Sequence, residues 1–141
     1  MLSKKNKLFY LLLFLLPGFR VTAESGRFRV VWQTDPATAV TIVWDQLSGS
    51  DPVLCLDIND YGSDASQYAV KREPDRVTEA KGMNNHYVYL TGLLPNTDYY
   101  FLVKDSEGQS RRFYFTTAPN TPDQRLSIIA GGDSRNHRDA R

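Results

Sequence analysis

Along most of this chain apolar and polar residues alternate with a period of two, and helix-period segments are hard to find. In residues 27–32, Phe28, Val30 and Trp32 share a face; in 39–45, Val40, Ile42 and Trp44 do, with Thr41 and Asp45 opposite. Residues 86–90 set Val88 with Leu90, and 99–103 align Tyr99, Phe101 and Val103. Residues 112–117 place Phe113 and Phe115 against Arg112, Tyr114 and Thr116, and 53–58 and 67–72 are further short runs. Such alternation marks strands with one face in a core and the other in water, as in antiparallel sheets. Asp35-Pro36, Ser48-Gly49-Ser50-Asp51-Pro52, Tyr61-Gly62-Ser63, Pro95-Asn96 and Ser106-Glu107-Gly108 punctuate the runs as turns. About seven strands separated by turns at intervals near ten residues predict an all-β sandwich of two sheets. Trp32 and Trp44 are then expected to fill its core.

One stretch narrows the sandwich type. Leu93-Leu94-Pro95-Asn96-Thr97-Asp98-Tyr99 has the spacing L-x-P-x-T-x-Y, which suits a tyrosine corner. Leu93, Pro95, Thr97 and Tyr99 would form it, with the Tyr99 hydroxyl returning to backbone a few residues upstream. After the last alternating run, the prolines of Thr117-Ala118-Pro119-Asn120-Thr121-Pro122-Asp123 read as a short stiff linker, 119–124, and a domain boundary. Arg125-Leu126-Ser127-Ile128-Ile129-Ala130 then forms an apolar run without alternation. That pattern suits a strand covered on both faces, the opening of an α/β unit over 125–141.

The start of the chain differs from the rest. Lys4, Lys5 and Lys7 precede nine apolar residues, 8–16, then Pro17-Gly18 and the small-residue site Val21-Thr22-Ala23. This is the pattern of a secretory signal peptide, 1–23, cleaved near Ala23, and nine apolar residues span roughly half a bilayer core. A secreted or periplasmic protein with no membrane attachment after cleavage is expected. The formal net charge is +1, but four of the cations belong to the leader; without them 13 basic face 16 acidic residues, −3 over 24–141. Nothing basic is left to suggest a nucleic-acid partner. The single cysteine, Cys55, closes no disulfide within the chain and reads as a buried apolar residue.

Candidate chemistry gathers at the C-terminus. In α/β sheets functional residues lie just past the carboxyl ends of strands, and Gly131-Gly132-Asp133-Ser134-Arg135 holds that place. A carboxylate there binds a hard metal through oxygen; read locally, Gly-Gly-Asp is equally a common turn, and local chemistry favours the turn. His137 and Asp139 lie in a polar tail without ligand spacing, and His86 reads as a surface or corner residue.

Taken together, "LTGLLPNTDYYFLV", "FYFTT" and "IIAGGDSR" resemble the purple acid phosphatases and related sandwich-bearing metallophosphoesterases, over roughly Phe28 to Arg135. The resemblance implies a fibronectin type III/immunoglobulin-like sandwich at 26–118, followed by the first strand of a truncated α/β metallophosphoesterase domain. It implies hydrolysis of phosphate monoesters by a complete enzyme holding two metal ions (Fe, Zn or Mn), with Asp133 as first ligand. Arg135 stands where many such enzymes carry histidine, and its guanidinium suits contact with substrate phosphate. The family's later motifs, a second Gly-Asp pair, a Gly-Asn-His and further histidines, do not occur in these 141 residues. The chain is therefore expected to be the N-terminal portion of such a phosphatase, with a structural sandwich, no metal bound and no activity of its own. The rival readings are a secreted adhesion module without catalysis and a carbohydrate-binding domain resting on Tyr87, Tyr89 and Tyr114.

Overall fold

A computed structural model describes residues 25–80 and 82–125. Eight strands follow in order: β1 (Ser25–Val31), β2 (Ala39–Gln46), β3 (Val53–Asp57), β4 (Val70–Arg72), β5 (Arg76–Ala80), β6 (Met83–Thr91), β7 (Asp98–Lys104) and β8 (Phe113–Thr116). No helix occurs among the described residues. The strands form two four-stranded sheets, β1-β2-β6-β5 and β4-β3-β7-β8, antiparallel throughout. The alternation read in the sequence explains the layering. Val40, Ile42, Trp44, Val88 and Leu90 from one sheet meet Leu54, Leu56, Tyr99, Phe101, Val103 and Phe115 from the other, which is a β-sandwich.

The structure departs from the sequence reading at three elements. β1 ends at Val31, so Trp32 leaves the pleat and is 49% exposed, whereas Trp44 is 0% exposed; only the second tryptophan is a core residue. The run at 67–72 is a strand only from Val70. Upstream of it Tyr68 is drawn over the outside of the second sheet, where it buries Cys55 and Leu102 together with Tyr61 and Ala65. β5 was not expected, because most of its residues are exposed and carry no burial pattern; pairing with β6 from Arg76↔Tyr87 to Ala80↔Met83 makes it a strand. The α/β strand expected at 125–130 lies outside the described residues beyond Arg125.

The turns between strands are tied to one another at both ends of the sandwich. At one end Gln46 links Trp44 Nε1, 3.0 Å from its Oε1, to Asp105 Oδ2, 2.6 Å from its Nε2. Asp105 also accepts from the Glu107 and Gly108 N–H groups. Gly49 sits against this carboxylate with φ +78°, and a Cβ there would lie 2.9 Å from Asp105 Cγ. Only glycine meets both conditions without strain. At the other end the turns before β2 and β7 meet the exit of β8.

Candidate functional site

The corner residues lie at the end where β8 leaves the sandwich. Tyr99 is buried, its ring 5.6 Å from Phe115 in a stacked pair. Its hydroxyl accepts the Leu94 N–H at 2.9 Å, so the phenol that enters the core keeps a hydrogen-bond partner at its rim. Leu93 joins the core, and the Thr97 hydroxyl donates to the Pro95 carbonyl at 2.8 Å. Asn96 has φ 48°, a left-handed conformation that asparagine tolerates. Thr117, outside the four-residue pattern, is the other half of this construction. Its Oγ1 donates to Leu94 O at 2.6 Å and accepts the Thr97 N–H at 3.0 Å. The Ala118 N–H then bonds Pro36 O at 3.0 Å and Ala118 O accepts from Asn96 at 3.1 Å. These hydrogen bonds fix the direction in which the chain departs at Ala118, and a turn closed by Gln124 N–H on Thr121 O follows.

Asp133 and Arg135, together with His137 and Asp139, lie outside the described residues. Among the described residues no group of three or more His, Cys, Asp or Glu side chains could hold a metal ion. The described residues of the sandwich therefore do not fit a two-metal centre. His86 is buried rather than superficial: it stacks on Trp44 with centroids 5.4 Å apart, and its Nδ1 lies 3.1 Å from Asn84 O. Cys55 lies under Tyr68, and burial pushes its thiol pKa up against the opposing Lys71 and Lys104 charges.

Tyr87, Tyr89 and Tyr114 are not brought together. Val88 and Leu90 point into the core, so Tyr87 and Tyr89 face out of the first sheet; Phe113 and Phe115 point inward, so Tyr114 faces out of the second. Three tyrosines on two opposite outer faces make no single sugar platform.

Two polar features escaped the sequence reading. Asp45, its side chain 2% exposed, is held by Arg29 at 2.8 Å and by the more distant Arg27 at 3.4 Å on the outer face of the first sheet. The spacing of Arg27 and Arg29 by two, with Asp45 facing outward on the next strand, was the available signal. The second is an open cleft of about 590 Å³ between β1 and β8, lined by Ser25, Arg27, Phe28, Gln109, Arg111 and Phe113 among others. It needs the pairing of distant edges and leaves no mark in local sequence.

A family model described as "Purple acid Phosphatase, N-terminal domain" matches residues 25–117. No curated protein matches the chain. Solved structures similar to it include the sensor domain of the anti-sigma factor RsgI4 from Pseudobacteroides cellulosolvens, in a shorter and a longer form. The shorter is 18% identical with TM-score 0.44, covering 69% of this chain and 95% of that one. The longer is 16% identical with TM-score 0.44, covering 77% and 100%.

Proposed function

The chain belongs to the purple acid phosphatase N-terminal domain family, and from that premise we propose that it is the exported, non-catalytic front of a metal-dependent phosphatase acting on phosphate monoesters. The observation that carries the reading is the match over residues 25–117, followed within the same chain by the apolar run 126–130 and Gly131-Gly132-Asp133. The family implies metal ions in the full enzyme. In such enzymes paired cations polarise the phosphoryl oxygens and supply a hydroxide nucleophile.

Within this reading residues 1–23 direct export and are removed, 26–118 form a fibronectin type III/immunoglobulin-like sandwich, and 119–124 link it to a catalytic unit beginning near 125. The strand orders support that sandwich type, since β1-β2-β6-β5 against β4-β3-β7-β8 follows the two-sheet Greek-key arrangement of immunoglobulin-like domains. Asp133 is the first metal ligand and Arg135 contacts substrate phosphate. The sandwich contributes position: its exit is clamped by Thr117 and Ala118, so the following unit starts from a fixed point and direction.

The test is to purify the longest product of this reading frame from the exported fraction, measure bound Fe, Zn and Mn, and assay p-nitrophenyl phosphate. Hydrolysis and metal are expected to accompany residues beyond 141, and Asp133→Asn is expected to lower both. A frame that closes at Arg141, or a longer product with neither metal nor hydrolysis, would overturn the reading.

A further inference from the structure

We propose that the end of the sandwich from which β8 departs is a docking face, and that its occupant is this chain's own continuation, residues 126–141 with the unit they open. Register sets Val31 beside Thr41, Ala39 beside Thr91, Asp57 beside Tyr100 and Asp98 beside Thr116, so these strand ends share one end of the sandwich. The apolar series do not stop where the strands do. Trp32 prolongs the inward-facing line of Phe28 and Val30, and Ile58 that of Leu54 and Leu56, each just past the last residue of its strand. Leu94 follows the core residue Leu93. Trp32, Ile58 and Leu94 are 49%, 48% and 56% exposed, and Pro36 is exposed beside them. The bonds from Thr117 to Leu94 O and from Ala118 to Pro36 O draw Leu94, Pro36 and the departing chain into one patch. Apolar surface gathered in this way marks an interaction site.

Position, composition and charge select the occupant. The chain leaves through the patch itself, and with only residues 119–125 between them, Leu126 reaches at most about 28 Å from Ala118 even when fully extended. The turn closed by Gln124 N–H on Thr121 O shortens that reach, so the continuation starts beside the face. Its first residues, Leu126, Ile128 and Ile129, are apolar. Asp35 and Asp98 are exposed at this end, whereas residues 125–141 carry four arginines against two aspartates, a complementarity that favours encounter. A tether this short also keeps the effective concentration high, so modest contact suffices to close the pair.

The inference rests on the reading that a folded unit begins near residue 125, but not on that unit being a phosphatase. The longest exported product of the frame is treated with hydroxyl radicals, and labelling of each side chain is read by mass spectrometry relative to the same product unfolded in urea. Leu47 is the internal standard, since it is 52% exposed but follows Gln46 at the opposite end. Trp32 and Leu94 are expected to label at least about fivefold more slowly than Leu47. Leu94→Asp should return Trp32 to the Leu47 rate and speed tryptic cleavage after Arg125 at least about fivefold, while the buried Trp44 stays protected. Labelling of Trp32 and Leu94 at the Leu47 rate would overturn the proposal, as would a Leu94→Asp product in which Trp32 stays as protected as Trp44. Protection lost on dilution would overturn it too, making a second copy the occupant. Hydrolysis assayed on the same sample keeps the two readings apart. Protection without hydrolysis retains the docking and rejects the phosphatase; hydrolysis with Trp32 freely labelled does the reverse.

Discussion

Tyr99 puts its ring in the core beside Phe115 and its oxygen under the Leu94 N–H at 2.9 Å. Tyr99→Phe keeps the ring and removes the acceptor of the part-buried Leu94 N–H. A loss of about 0.5–1.5 kcal/mol is expected, read as a lower urea midpoint with an unchanged slope. Thr116→Val is the control: its hydroxyl bond to Asp98 is exposed, so less than about 0.5 kcal/mol should follow. The corner was legible because its parts lie within seven consecutive residues whose order states the geometry. Thr117, which completes it by bonding Leu94 and Thr97, was not, because its partners stand some twenty residues away. Trp32 and Trp44 carry the same warning at this scale. Both sit at inward-facing positions of an alternating run, and the end of β1 at Val31 decides that one of them is exposed.

The second sheet gains a lid from the segment between β3 and β4. Asp57 anchors both of its ends, accepting from Asn59 N–H at 2.9 Å and Ala69 N–H at 2.9 Å, and Tyr68 closes it with a hydroxyl bond to Gly62 O at 2.8 Å. Beneath lie Cys55 and Leu102. The thiol should therefore react slowly with Ellman's reagent in the native protein, since burial shields it and raises its pKa. Tyr68→Ala should cost about 3 kcal/mol and speed modification at least tenfold; an unchanged rate would mean that this segment does not cover Cys55. Sequence reasoning recognised a buried cysteine but took 67–72 for one strand. A tyrosine that packs outside a sheet has the same local signature as one that packs inside. β5 was missed for the complementary reason: an exposed edge strand is specified by its neighbour β6 rather than by its own composition.

Over the whole molecule, several acidic side chains serve as acceptors for turn backbone. Asp35 is held below the ordinary carboxylate range by the Ala37 N–H and then Thr38. Asp57 is lowered chiefly by the Asn59 N–H, against desolvation, and Asp64 by the Ser66 hydroxyl, then Gln67 and the Ser66 N–H. Because folding lowers these pKa values, the unfolded chain binds more protons in the acid range. The stability they confer is complete above the unfolded carboxylate value of about 3.9 and disappears as pH falls through the folded values. Unfolding free energy should accordingly be nearly level from pH 7 to 5 and decline below about 4; a decline already complete at pH 6 would implicate other groups. The two-sheet fold was legible throughout, since alternation determines which residues meet in the core. The cleft between β1 and β8 was not, because it depends on bringing together strands far apart in the chain, whereas the Asp45 ion pairs, between the consecutive strands β1 and β2, had their signal in the spacing of Arg27 and Arg29. Strand register gives the sandwich a head and a tail. β1 enters beside Gln46, at the end bearing the 47–52 and 105–109 turns, and β8 leaves beside Asp98, at the other. Strands of seven or eight residues at about 3.3 Å per residue separate entry from exit by roughly 25 Å. The domain is thus a strut rather than a knot in the chain. Whatever is joined before Ser25 is held one strand-length away from whatever follows Thr117, and inserting a second copy would double that reach without altering either attachment.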